Sequence, residues 1–219
     1  MNPSRIAELL EPFLEPIAGN RLSDAELAKI SAYLDLLLYW NARVNLTAVR
    51  DPEEIVTRHF GESLFAAKHL LRGPIRTNID GRRVHLADVG SGAGFPGVPM
   101  KIWAPAISLT LIESKQKKAV FLREVCRALW LTDVNVQNVR AEEIAAEAFD
   151  IVTLRAVERF LEVLPAAAKL VRPSGRLALL ISSSQVDAAQ GIIGDFRWDV
   201  PNPIPLSESR QLLIGTREP

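Results

Sequence analysis

Glycine occupies every second position from Gly90 to Gly94, between the apolar run of residues 84–87 and a stretch of helical patterning that begins at Pro96. A turn of this composition joins a strand to a helix and keeps side chains off the backbone, because glycine has no Cβ and tolerates positive φ. The main chain can therefore pass close to a ligand, and Asp88 at the strand end can accept hydrogen bonds from a sugar or an amino group. The spacing is not the G-x-G-x-x-G of dinucleotide sites, so a nicotinamide-dependent dehydrogenase is a distant reading. A second apolar run, Leu109 to Ile112, ends in Glu113, 19 residues beyond Gly94. That is close to the ~20-residue offset of a carboxylate that takes ribose hydroxyls. Taken alone, Glu113 would be a solvated residue at a helix start, and glycine-rich turns also serve α/β proteins that bind other nucleotides or nothing.

The turn belongs to an alternating pattern. Strands are expected over 84–89, 107–113, 133–138, 149–154 and 175–181, with helices over 96–104, 115–130, 141–147 and 158–171. Such alternation argues for an α/β, doubly wound, mostly parallel sheet that binds its ligand at the carboxyl ends of the strands. Residues 191–200 and 210–216, joined through Pro201, Pro203 and Pro205, read as two antiparallel strands. The first 75 residues look helical instead. Helices are expected over 4–18, over 24–40 with Ser23 or Asp24 as the cap, and over 59–71, ending at Gly73-Pro74. Leu27, Ile30, Leu34, Leu37 and Leu38 make the apolar stripe of the second. Pro52 suits a first helical turn after Asp51. The expected organisation is an N-terminal helical cap, 1–75, and an α/β domain, 76–219, entered through the polar link Arg76 to Arg83.

Charge and cysteine content narrow the function classes. Lys plus Arg and Asp plus Glu both number 26, so net charge announces no nucleic-acid partner and any such contact needs a local patch. One cysteine, Cys126, excludes an internal disulfide and argues against structural zinc. No secretory pattern and no membrane-length apolar run is visible, so a cytoplasmic protein with no membrane contact is expected.

Several motifs then fall in order: Trp40-Asn41-x-x-Val44-Asn45-Leu46-Thr47-Ala48-Val49; Arg58-His59-Phe60-x-Glu62-Ser63; the Asp88 to Pro99 loop with Gly94-Phe95-Pro96-Gly97; Ile112-Glu113-Ser114 with Lys117-Lys118; Arg140-Ala141-Glu142-Glu143; and Leu154-Arg155-Ala156. The loop resembles the nucleoside loop of class I S-adenosylmethionine-dependent methyltransferases, whose fold is Rossmann-like. The ordered set resembles the glucose-inhibited division protein B family, bacterial guanine-N7 methyltransferases of small-subunit (16S) ribosomal RNA, from about residue 25 to 215. The resemblance implies S-adenosylmethionine as cofactor and ribosomal RNA or the small subunit as partner, with a monomer as the expected state. It implies a cofactor pocket lined by Gly90 and Phe95, with Asp88, Gly92, Gly94 and Glu113 around it and Ala141 and Glu142 flanking the adenine. Arg155 would sit at the methyl-transfer site and touch the cofactor, with Arg140 and Arg210 contacting substrate.

The residues themselves leave other roles open. Glu142 could simply favour a helix start, Arg155 could be a salt bridge, and His59 reads as structural more readily than as a general base. Trp40 reads as core. Lys115, Lys117, Lys118, Arg123 and Arg127 could meet phosphates or form a solvated face. Three histidines, one cysteine and no nucleophile–base or metal-ligand constellation suit a reaction driven by alignment alone. The sequence departs from the family pattern at Glu62, where aspartate is usual, at Ser182-Ser183-Ser184, where Lys-Gly is common, and at Gln211, where histidine is common. These departures motivate a second reading, a catalytically silent ribosome-binding module. A third is a class I methyltransferase acting on a small molecule or protein, which leaves the Asn45-Leu46-Thr47 and Arg58-His59 matches unexplained.

Overall fold

The sheet runs β3-β2-β1-β4-β5-β8-β6, with β7 pairing β8. Its strands are β1 His85–Val89, β2 Ser108–Ile112, β3 Val134–Gln137, β4 Phe149–Arg155, β5 Val171–Ser182, β6 Phe196–Trp198, β7 Asn202–Pro203 and β8 Arg210–Arg217. The computed structural model describes residues 1–14, 21–71, 83–155 and 159–219. β1 to β5 pair in parallel, and β8 runs antiparallel to β5 and to β6. The winding reverses between β2 and β4 on the two sides of β1, so the crevice where such sheets bind ligands opens beyond Val89, beside the glycine turn.

Apolar runs alternate because both faces of the sheet are covered. Leu86, Leu109, Leu111, Ile151, Ala178 and Leu180 face one core, and Ala87, Ile112, Val152, Leu154, Leu177 and Leu179 face the other. The first core is shared with α1 (Pro3–Leu14), α2 (Asp24–Val44), α4 (Glu62–Leu70), α5 (Gly97–Trp103) and α6 (Gln116–Ala128). The second is closed by α7 (Phe160–Leu170) and α8 (Val186–Ile192). The N-terminal helices thus pack into the same continuous core as the sheet.

Ser23, rather than Asp24, caps α2. Its Oγ accepts from the Glu26 amide while Glu26 accepts from the Ser23 amide, a complete capping box. The helix continues four residues past the expected end and stops at Asn45 in the left-handed conformation. The helix expected from residue 59 begins earlier. The short α3 (Pro52–Ile55), capped by Asp51, passes through a π-helical turn (Val56–Gly61) into α4. Residues 15–18 of the first expected helix, the Gly73-Pro74 end of the helix expected over 59–71 and most of the polar link lie outside the described residues.

Two expectations fail. Residues 141–147 form no helix, only a 3-10 turn (Ala141–Glu143), because Ala141 alone is buried and no apolar stripe exists to anchor further turns. Residues 191 and 192 belong to α8, which shortens the expected strand to β6; Ala189 and Ile193 of this segment are buried in the second core.

Candidate active site

The end of β1 is tied to the end of β2, since the amides of Gly90 and Ser91 both donate to the Ile112 carbonyl. Gly90, Gly92 and Gly94 all have positive φ, at 66°, 57° and 92°. Glu113 holds the turn from the side: one carboxylate oxygen accepts the Gly92 amide at 2.8 Å and the other accepts the Lys115 amide at 2.7 Å. Each oxygen keeps a second lone pair. Asn138, after β3, donates to the Glu113 carbonyl at 2.8 Å and fixes its backbone; sequence reasoning assigned it nothing.

Asp88 departs from its expected place. It is fully buried beneath the turn, where it accepts the Gly97 amide at 3.2 Å and the Thr153 hydroxyl at 2.8 Å. Burial pushes its carboxyl up to about 7, against the lowering effect of those two donors. It shapes the turn from below and has no surface to offer a sugar.

The turn is also held from the helical side. The Tyr33 hydroxyl of α2 donates to the Ala93 carbonyl, and its ring stacks on Phe95 at 5.3 Å. Phe60 meets both rings edge-on at 5.1 and 5.0 Å. Phe95 is thus buried in an aromatic cluster and anchors the turn to the helices. Tyr33 was invisible as a functional candidate because it sits within an apolar helical stripe.

At the end of β4, Arg155 turns inward. Its Nε donates to Glu62 at 3.1 Å, and its Nη2 reaches the Arg58 carbonyl and His59 Nδ1, both at 2.9 Å. Arg210, at the start of β8, donates to the same Glu62 oxygen at 3.1 Å and to the Leu180 carbonyl. Because the Arg155 guanidinium can only donate, His59 Nδ1 must accept; Nε2 then carries the proton and donates to the Thr47 hydroxyl at 2.7 Å. Thr47 in turn exchanges backbone hydrogen bonds with the Asn41 side chain. The motif residues of the helical half and the two arginines of the sheet therefore form one network.

Arg140, Ala141 and Glu142 stand elsewhere. They follow β3, with Ala141 buried and the other two exposed. Five strand spacings of about 4.8 Å, roughly 24 Å in all, separate β3 from β8, so Arg140, which follows β3, and Arg210, which starts β8, belong to opposite ends of the strand order. The three arginines grouped by sequence do not converge on one point; Arg155 and Arg210 do, on Glu62. Of the basic residues on and before α6, Lys115, Lys117, Arg123 and Arg127 are exposed and Lys118 is half-buried. Trp40 is half-buried beside Phe121 at 5.7 Å, in keeping with a core role.

Burial, with the positive charges of Arg155 and Arg58, lowers His59 from 6.5 to about 2. It stays neutral and both ring nitrogens are committed, so it cannot serve as a general base. Below pH 6.5 the unfolded chain takes up a proton at His59 that the folded protein refuses, so this contribution is present above pH 6.5 and is lost as pH falls toward 2. Between pH 7.5 and 5.0, wild type should lose about 2 kcal/mol more stability than His59→Gln, at about 1.4 kcal/mol per pH unit below 6.5. Parallel denaturation curves for the two proteins at both pH values would refute this assignment.

The turn fits a nucleoside cofactor. A Cβ built on Gly92 would meet only the Gly90 carbonyl, at 3.7 Å, so that side of the backbone is open, and Glu113 stands beside it with lone pairs to spare. Among the described residues, no cluster of His, Cys, Asp or Glu could hold a metal ion.

A family model described as rRNA small subunit methyltransferase G matches residues 26–191. A protein named ribosomal RNA small subunit methyltransferase G from Chloroflexus aggregans is 37% identical over 211 residues, covering 91% of this chain and 85% of its own length. A protein of the same name from Xanthomonas axonopodis pv. citri is 38% identical over 179 residues, covering 81% and 79%. Among solved structures, the ribosomal protein L11 methylase of Lactobacillus delbrueckii subsp. bulgaricus superposes with a TM-score of 0.60 at 13% identity, covering 74% of this chain and 79% of its own. A SAM-dependent methyltransferase from Aquifex aeolicus gives 0.59 at 15% identity, covering 79% and 97%. These two likenesses speak to the fold, which is the Rossmann-like fold of class I methyltransferases.

Proposed function

The chain belongs to the rRNA small subunit methyltransferase G family, and we propose that it transfers a methyl group from S-adenosylmethionine to N7 of a guanine in small-subunit ribosomal RNA. The observation that carries this reading is the Glu113-pinned glycine turn, open on one side, lying within the family match. The cofactor supplies a methyl group already made electrophilic by its sulfonium. The chain has to hold that group and the base in line. In this reading the backbone from Gly90 to Gly94 lets the nucleoside approach, Glu113 takes ribose hydroxyls with its remaining lone pairs, and Ala141 and Glu142 flank the adenine.

Guanine N7 has an exposed lone pair and no proton, so positive charge moves with the methyl group and nothing has to be deprotonated. A neutral, fully engaged His59 and a buried Asp88 suit such a reaction. Catalysis then rests on proximity and alignment. Arg155, held by Glu62, His59 and the Arg58 carbonyl, fixes a largely buried positive charge at the end of β4, with the more exposed Arg210 beside it. We assign Arg155 the orientation of the guanine or a neighbouring phosphate, and Arg140 a separate substrate contact. In an A-form helix N7 lies in a deep, narrow groove, so the target belongs in a loop or an opened region. The chain acts as a monomer in the cytoplasm on free RNA or on the assembled subunit.

The test is methyl transfer from labelled S-adenosylmethionine to small-subunit RNA and to intact small subunits from a strain lacking the endogenous enzyme, with the product base identified by mass spectrometry. 7-Methylguanosine at one site is the expected product; transfer only to a metabolite or a protein would overturn the reading. Arg155→Ala should reduce turnover about 100-fold, the scale of a misplaced reactant. Cofactor affinity should change little in that variant, and unchanged turnover would remove Arg155 from the transfer site.

A further inference from the structure

A recess of about 170 Å³ lies beside the Arg155–Glu62–Arg210 network, lined among others by Phe13, Thr57, Arg58, Ser207, Ser209 and Arg210. We propose that it is a subsite for a backbone phosphate of the RNA, next to the methyl-transfer centre; the proposal rests on the RNA-methyltransferase reading above. Two guanidinium groups reach this recess from distant parts of the chain, one from the π-helical turn and one from the start of β8.

Both retain donors. Arg58 spends Nη1 on Glu54, and Arg210 spends Nη2 on Glu62 and the Leu180 carbonyl. The Nε of Arg210 is buried without a protein partner. The Ser207 hydroxyl oxygen accepts the Arg210 amide at 3.1 Å, which leaves its proton free to donate. Guanidinium forks and a hydroxyl are the donor set that phosphate oxygens take. Glu62 also lines the recess, but its Oε2 is already shared by Arg155 and Arg210. Arg58, Arg155 and Arg210 stand against Glu54, Glu62 and the exposed Glu208, so the charges around the recess balance and its pull on a phosphate comes from the guanidinium and hydroxyl donors left free. Leu206, 72% exposed at the rim, offers an apolar face to the ribose or base attached to the phosphate.

The position suits a polymer rather than a free anion. Arg210 starts β8 at the carboxyl edge of the sheet, opposite Ser182 at the end of β5, the same edge on which Arg155 ends β4. A strand of RNA whose guanine reaches Arg155 passes this recess with a neighbouring phosphate.

The test compares wild type, Arg58→Ala and Ser207→Asp as full chains, by equilibrium binding to small-subunit RNA over a salt series, with S-adenosylmethionine affinity measured alongside. Ser207→Asp, which places a carboxylate where a phosphate would sit, should weaken RNA binding about tenfold, the cost of one lost phosphate contact made repulsive. Arg58→Ala should raise the RNA KM more than it lowers kcat and reduce the slope of log affinity against log salt by about 1. Unchanged cofactor affinity in both variants would show that the fold and the glycine turn are intact. Wild-type RNA affinity and salt slope in both variants, with wild type still methylating RNA, would overturn the subsite alone. A wild-type protein that neither binds nor methylates RNA would overturn the functional reading and the subsite with it.

Discussion

Replacing Glu62 with alanine should destabilise the folded protein by about 3–5 kcal/mol, the cost of leaving buried charge without its counter-ion. One oxygen of Glu62 lies 3.1 Å from both Arg155 and Arg210, and the side chains of Glu62 and Arg155 are only 4% and 8% exposed. Burial lowers the affinity of Arg155 for its proton, and the charge of Glu62 is the main force restoring it. An arginine cannot escape the cost of desolvation by losing its proton, as a lysine or histidine can. The alanine variant would therefore carry two cations, Arg155 and Arg210, facing each other across the space the carboxylate left. Glu62→Gln keeps the shape and one acceptor but not the charge, so it should fall between alanine and wild type. The double variant Glu62→Leu, Arg155→Met, which removes one buried charge of each sign but leaves Arg210 without its carboxylate, should regain part of the lost stability and none of the turnover. Denaturant midpoints at constant slope would measure all three. A Glu62→Ala variant within 1 kcal/mol of wild type would mean that the two arginines find water or new partners, and that the network does not hold them.

This network also marks where the sequence could and could not be read. The parallel sheet was legible because each apolar run is short, β-prone and bounded by a turn, and because both faces of such a sheet are buried. Glu113 was legible as a carboxylate at the proper offset from the glycine turn. Its grip on the Gly92 amide was not, since backbone donors carry no residue identity. Asp88 was misread because an acidic residue at a strand end looks the same whether it faces a ligand or lies under a loop; the burial that raises its pKa exists only once α5 and β4 are packed on it. The pairing of Glu62 with Arg155 and Arg210 spans 93 and 148 residues, far beyond any local pattern. The family motifs named Arg58, His59, Glu62 and Arg155, and the resemblance added Arg210, without saying which touches which. Residues 141–147 failed in the opposite way: alanine and glutamate favour helix locally, and the absence of a surface to bury them against left only one turn.

Gly94→Ala should cost cofactor binding about 30- to 3,000-fold, whereas Gly92→Ala should cost it through a different cause and with a smaller loss of stability. At Gly94 the backbone has φ +92°, and a Cβ would stand 2.9 Å from Val98 Cγ2 and inside the contact distance of the Tyr33 hydroxyl. The left-handed conformation costs a side-chain-bearing residue about 1–2 kcal/mol, and forcing an extra carbon into packed surroundings costs about 1–3 kcal/mol more. Together these make about 2–5 kcal/mol, at about 1.4 kcal/mol per tenfold. The strain is relieved only by moving Ala93 off the Tyr33 hydroxyl, which takes the turn out of the shape that Glu113 holds from the other side. Stability should fall along with affinity. At Gly92, φ is +57° and an added Cβ would meet only the Gly90 carbonyl, at 3.7 Å, so the backbone cost is about 1–2 kcal/mol and nothing in the protein is displaced. What the methyl group occupies is the open side of the turn, where a nucleoside has to come close. Calorimetric titration with S-adenosylmethionine, paired with thermal unfolding of each variant, separates the two causes. Gly94→Ala should lose melting temperature and affinity together, and Gly92→Ala should lose mainly affinity. Should Gly92→Ala bind S-adenosylmethionine as well as wild type does, the cofactor does not lie against the open side of this turn, and the pocket assigned to Gly90, Gly92 and Glu113 would have to be sought elsewhere along the same strand edge.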